Sequence, residues 1–142
     1  MIDRFRWERL ILVGLVWFAL LRGVIYASVT PPWQAPDEFR HLEYARLIAE
    51  HRRPVTYADL SPQLEEEIIA SLLEFDYWKF GYSDLPFDEN NPPRHFEDFL
   101  APVIAHSLYQ PPSYYLLGAL VVFPLLGEDV VLQMYALRLA SL

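Results

Sequence analysis

Long apolar runs stand at both ends of the chain and leave a polar middle. The first, "LILVGLVWFALLRGVIYASV" from Leu10 to Val29, holds 20 residues and one charge, Arg22. At about 1.5 Å per helical residue it matches a hydrocarbon core of about 30 Å. A signal peptide has a shorter apolar core, about 7–15 residues, and a small-residue cleavage site. This run is longer and ends in "TPPW", so it reads as an uncleaved membrane span. The second, "SYYLLGALVVFPLL" from Ser113 to Leu126, reads as another span, with Pro124 tolerated near its far end. After a "GED" turn, "VVLQMYALRLASL" starts a third apolar helix of 13 residues, Val130 to Leu142, too few to cross a bilayer. The expectation is the front of a longer protein or a truncated form of one, with no activity from these 142 residues alone.

Between the runs the pattern predicts two amphipathic helices. In "APDEFRHLEYARLIAEH", Pro36 suits an early helix position, and Asp37 and Glu38 suit the positive N-terminal end. Glu38, His41, Leu42, Ala45, Ile48 and Ala49 share one face. Arg40, Glu43, Arg46 and Glu50 share the other, with Glu43–Arg46 and Arg46–Glu50 at pairing distance. Such a helix is expected to lie along a membrane surface with its apolar side down. The second opens at "SPQLEEE", with Ser61 as N-cap and Pro62 at the first helical position. Leu64, Ile68, Leu72 and Phe75 form its stripe, and Gly81 is its expected end. "FDYWKFGY" then reads as an aromatic belt at headgroup level, and residues 82–98 as irregular loop.

The expected architecture is therefore an all-α membrane protein. It has a cytoplasmic N-terminus (1–9), a span (10–29), an external loop with two interfacial helices (30–112), a second span (113–126), a cytoplasmic turn (127–129) and the start of a third span (130–142). Arg4, Arg6 and Arg9 before the first span favour a cytoplasmic N-terminus. Composition sharpens this picture. From Thr30 to Gln110 there are 15 Asp and Glu against 6 Lys and Arg, so the net charge of -8 belongs to the middle. An acidic segment repels nucleic acid. With no cysteine, there is no disulfide and no thiolate metal site.

In this order, "TPPWQAPDEFRHLEYARLIAEHRRP" and "YQPPSYYLLGAL" resemble the N-terminal part of GT-C-type integral membrane glycosyltransferases. The likeness is greatest to a bacterial branch of multi-spanning proteins with a Pro-Asp-Glu-x-x-His motif in the first loop. It covers most of the chain but only the first few spans of that family. The resemblance implies a sugar donor on polyprenyl phosphate and a reaction at the outer face of the bacterial inner membrane. It also implies an acid of the first external loop that serves as general base or helps hold a divalent cation. The matching positions are Asp37 and Glu38.

Local pattern alone makes the same two residues helix caps. His41, three residues after Glu38, is placed to orient an acid or contact the substrate, to ligate a cation with Asp37, or to pack. His106 precedes the Pro-Pro element and is a candidate to approach the acids. Relatives often carry His or Glu directly before that element, where this chain has Gln110. Arg22 is either a side chain reaching for the interface or a contact for the donor phosphate. His51 and His95 read as solvated. A contrasting expectation is a small, non-catalytic structural subunit of a larger membrane complex, with membrane lipid and other subunits as partners.

Overall fold

In the computed structural model, residues 2–35, 37–80, 88, 91–101 and 105–141 are described, and they form helices, turns and loops without a strand. Helix α1, Ile2–Val29, is one unbroken element of 28 residues, about 42 Å long at 1.5 Å per residue. It is the one helix among the described residues long and apolar enough to cross a membrane, and only 6% of its most apolar window is buried. A core helix of such composition would be covered on most sides. This one meets the rest of the chain at its C-terminal end, where Ala27 is buried.

The turn that follows is strained and anchored. Trp33 has φ 65 and Asp37 φ 63, a conformation L residues rarely adopt. Surrounding structure must over-determine such a backbone. Trp33 is buried, and its indole N–H donates to Ser71 Oγ at 2.9 Å. Pro36, the expected early helix residue, lies outside the described residues.

Helix α2, Glu38–His51, ends at Arg52, whose left-handed backbone (φ 54) sends its N–H to the Ile48 carbonyl at 2.8 Å. The helical pattern predicts one wet face for this helix, and that expectation is corrected. Arg40 is 7% exposed and Glu43 1%, and the expected apolar residues Leu42, Ala45 and Ile48 are buried as well. Arg46 bonds Glu50 as expected (3.1 Å), but its second partner is Glu67 at 2.9 Å instead of Glu43. Other parts of the chain cover both sides, so α2 is the central helix and not one lying flat on a surface.

Helix α3, Pro62–Glu74, starts as the sequence predicts, with Ser61 Oγ accepting the Leu64 N–H at 3.3 Å. Leu64, Ile68 and Leu72 are buried. The helix stops at Glu74, well before Gly81, which lies outside the described residues; Asp76 (φ 53) turns the chain into the short helix α4, Tyr77–Phe80. The aromatic belt is also corrected. Tyr77 and Trp78 are buried and pack edge-on against Phe39 and Phe99, respectively, at 5.7 and 5.2 Å between ring centres. Aromatic pairs in this geometry stabilise a core beyond the area they bury. Phe96, from the segment read as irregular loop, completes the cluster 4.9 Å from Phe39.

Helix α5, Pro112–Val122, continues as a 3₁₀ turn through Leu125, tightened around Pro124. The stretch expected to be a second span is thus about 21 Å long at 1.5 Å per residue, short of the hydrocarbon core. It runs beside α2 in the same direction: Tyr115 meets His41, Gly118 meets Ala45, and Phe123 meets Arg52. Helix α6, Val130–Ala140, returns along them, capped by the Asp129 side chain on the Val131 N–H at 2.7 Å. Gln133 is fully buried and donates to the Leu125 and Glu128 carbonyls at 2.9 and 2.8 Å, which closes the turn.

Gly118 sets the spacing of this cluster. A Cβ there would stand 3.3 Å from Ala45 Cβ and 3.2 Å from Leu137 Cδ2. Gly118→Ala is expected to be nearly neutral, since Leu137 can yield and helix propensity gains about 1 kcal/mol. Gly118→Val adds two methyls with nowhere to go and should lose roughly 1–3 kcal/mol. Denaturation midpoints of the two variants check this; equal midpoints would mean that the helices do not meet at Gly118.

Candidate acid and histidine site

The two acids after α1 have different fates. Glu38 is clamped. The Arg138 guanidinium forks onto its carboxylate, with Nη2 at 2.7 Å from Oε2 and Nε on Oε1. The same guanidinium donates to the carbonyls of Ala27 (3.2 Å), Thr30 (2.6 Å) and Pro31 (2.8 Å). One arginine thus joins the end of α1, the turn, the start of α2 and the end of α6. The Glu38 side chain is 11% exposed, whereas that of Asp37 is 38% exposed. Asp37 occupies the N-cap position of α2 but makes no side-chain cap bond; its carboxylate pairs with Arg40. Asp37 thus stands at the cap position without a cap bond and stays accessible, while Glu38, in the first turn, accepts the Ala35 N–H at 3.4 Å and is locked in the clamp.

His41 and Gln110, 69 positions apart, are brought together by Tyr115. The Tyr115 hydroxyl lies 2.8 Å from His41 Nδ1 and donates to Gln110 Oε1 at 2.5 Å. His41 is half-buried. Burial, and next the positive Arg40, push its pKa below the ordinary 6.5, with Glu38 pulling the other way. The imidazole is therefore neutral at physiological pH.

His106 does not join the acids. It is buried and bonds Glu43, with Nδ1 at 2.9 and 3.1 Å from the two carboxylate oxygens. Arg22 stands exposed on α1 in a shallow groove with Phe18, Ala19, Gly23 and Tyr26, and no described contact links it to Asp37. His95, expected to be solvated, is exposed but bonds Glu65 at 3.0 Å, and Glu65 also accepts the Phe96 N–H at 2.7 Å. His51 is exposed as expected. Among the described residues no three His, Cys, Asp or Glu side chains converge to hold a metal ion. Asp37 and His41 offer two such donors, and Glu38 is taken by Arg138.

Four of these partners escape a reading of the sequence: Arg138, Tyr115, Glu43 and Glu65. Arg138 alone carried a signal, as a lone charge inside an apolar run.

The buried pair predicts a pH dependence. Burial raises the Glu43 carboxyl. Burial works against the charged His106, but the hydrogen bond and charge of Glu43, with Glu65 and Glu97 beyond, outweigh it and raise His106 above 6.5. Both folded-state values lie above the unfolded ones. The His106 contribution is thus complete below about pH 6.5 and is lost as pH rises through its raised value, whereas that of Glu43 is complete only below about pH 4.5 and is lost as pH rises through its own. His41 has the opposite sign, and its contribution is lost as pH falls below about 6.5. Melting temperature should fall as pH rises from about 6.5 into the alkaline range, and His106→Gln should flatten that fall; an unchanged slope in the variant would remove the pair from the account.

No protein-family model, curated protein or solved structure matches the chain.

Proposed function

We propose that this chain is the N-terminal portion of a GT-C-like membrane glycosyltransferase, taking a sugar from a polyprenyl-phosphate donor at the outer face of the bacterial inner membrane. The observation that carries the reading is the state of Asp37. It is an accessible carboxylate on a left-handed backbone, eight residues beyond the end of a bare apolar helix, and its side chain has no capping duty. A lipid-borne donor holds its reactive carbon near headgroup level, so an acid at the exit of a span is where the chemistry needs one. Glycosyl transfer passes through a cation-like sugar, which a nearby carboxylate stabilises. Glu38 then serves to fix the turn that presents Asp37.

The topology belongs to the same reading: N-terminus cytoplasmic, α1 across the membrane, and the helices packed around α2 held together at its outer end. The outward side of α5, with Leu116, Leu117 and Leu120 exposed, supports contact with lipid or with further spans. Membranes carrying the full-length protein that this portion begins should move a sugar from a polyprenyl-phosphate donor to an acceptor, tested with hexose, aminosugar and pentose donors. Failure with all three classes would retire the reading.

The same exposed faces of α1 and α5 favour a second reading, a non-catalytic subunit held in a larger membrane complex. It predicts no transfer and a stable large assembly in mild detergent.

A further inference from the structure

We infer that His41 is the proton acceptor of this site, with Nε2 as the working nitrogen and Tyr115 and Gln110 as the positioning residues that keep it so. The hydrogens of these three side chains fix the tautomer. Tyr115 has one hydroxyl proton, and it goes to Gln110 Oε1. The Gln110 amide NH₂ is turned to the Tyr109 hydroxyl at 3.5 Å, which leaves its carbonyl oxygen for Tyr115. The Tyr115 oxygen can then only accept from His41 Nδ1, 2.8 Å away, so Nδ1 carries the ring proton. In a neutral imidazole the other nitrogen must hold a lone pair. No hydrogen bond to Nε2 is made among the described residues. The ring is also held in place: its centre lies 5.7 Å from that of Tyr115, which itself stacks 4.2 Å from Tyr44 and is buried.

A fixed tautomer with an unused lone pair is what a general base requires. The Glu38 carboxylate, near enough to favour the protonated ring, compensates the imidazolium as it forms. Resting on the glycosyl-transfer reading, the step runs as follows. The acceptor hydroxyl gives its proton to His41 Nε2 while its oxygen bonds to the anomeric carbon. The bond from that carbon to the phosphate oxygen breaks, and the polyprenyl phosphate leaves with the electron pair. Asp37 faces the positive charge that builds on the sugar, so the two residues divide the work.

The test reads the tautomer directly. ¹⁵N NMR of the histidine-labelled full chain in lipid nanodiscs at pH 7.5 should show His41 protonated on Nδ1 and bare on Nε2. Tyr115→Phe, which keeps the ring and removes the hydroxyl, should shift the population toward the Nε2–H form. A ring protonated on Nε2, or a fully charged one, in the native protein would overturn the inference, as would a tautomer indifferent to Tyr115→Phe. In the transfer assay, His41→Gln should lower the rate by roughly 10²-fold. Undiminished transfer in that variant overturns the base role while leaving the Asp37 reading intact. The expected tautomer in a protein that transfers nothing would instead sink the glycosyltransferase reading and keep the prepared nitrogen.

Discussion

Replacing Arg138 with alanine is expected to destabilise the protein by about 3–5 kcal/mol, the usual scale for removing one partner of a buried ion pair. The loss has two parts. Glu38, whose side chain is 11% exposed, keeps its charge but loses both guanidinium bonds. The carbonyls of Ala27, Thr30 and Pro31 lose a donor at the same time. Arg138→Lys should recover only part of the loss, because an ammonium cannot fork onto a carboxylate and reach three carbonyls. Arg138→Met with Glu38→Gln should be milder than either single change, since no uncompensated charge is left buried. Thermal or denaturant unfolding in detergent, run as a double-mutant cycle, gives the coupling. Additive losses would mean that the two side chains do not act as one clamp.

That clamp shows where the sequence was legible and where it was not. Local signals placed α1, the start of α2, and Ser61 and Pro62 at the head of α3, because caps and apolar periodicity act within a few residues. The error on α2 came from the same source. Arg40 and Glu43 fall on the polar side of a helical wheel, and a wheel cannot show that His106, 63 residues on, buries Glu43. Tyr77 and Trp78 suit a headgroup belt by composition, yet Phe39, Phe96 and Phe99 supply a protein environment instead. The length of 113–126 read as a span because apolar content was counted before the Pro124 turn and the contact with α2 were known. At the site, Asp37, Glu38, His41 and Gln110 were all candidates from sequence. Their separation into a clamped acid, an accessible acid and a tyrosine-bridged histidine depends on Arg138 and Tyr115, which arrive from 100 and 74 positions away.

The largest expected effect on function belongs to Asp37. Asp37→Asn keeps the size of the side chain and its ability to cap α2 but removes the charge. Since Asp37 makes no cap bond, its side chain is 38% exposed to water, and the asparagine oxygen can still accept from Arg40, folding and membrane insertion should be intact. Glu38→Gln should behave differently, weakening the clamp and lowering stability more than rate. Glu50, exposed at the end of α2, serves as the control, and Glu50→Gln should change little. The deciding measurement is transfer from a polyprenyl-phosphate sugar by membranes holding equal amounts of the full-length protein in its native, Asp37→Asn and Glu50→Gln forms. A fall of roughly 10²-fold or more is predicted for Asp37→Asn alone, the scale for losing a positioned acid–base or charge-stabilising group. Transfer by Asp37→Asn at the native rate would contradict the account and return both acids of this turn to a purely structural role.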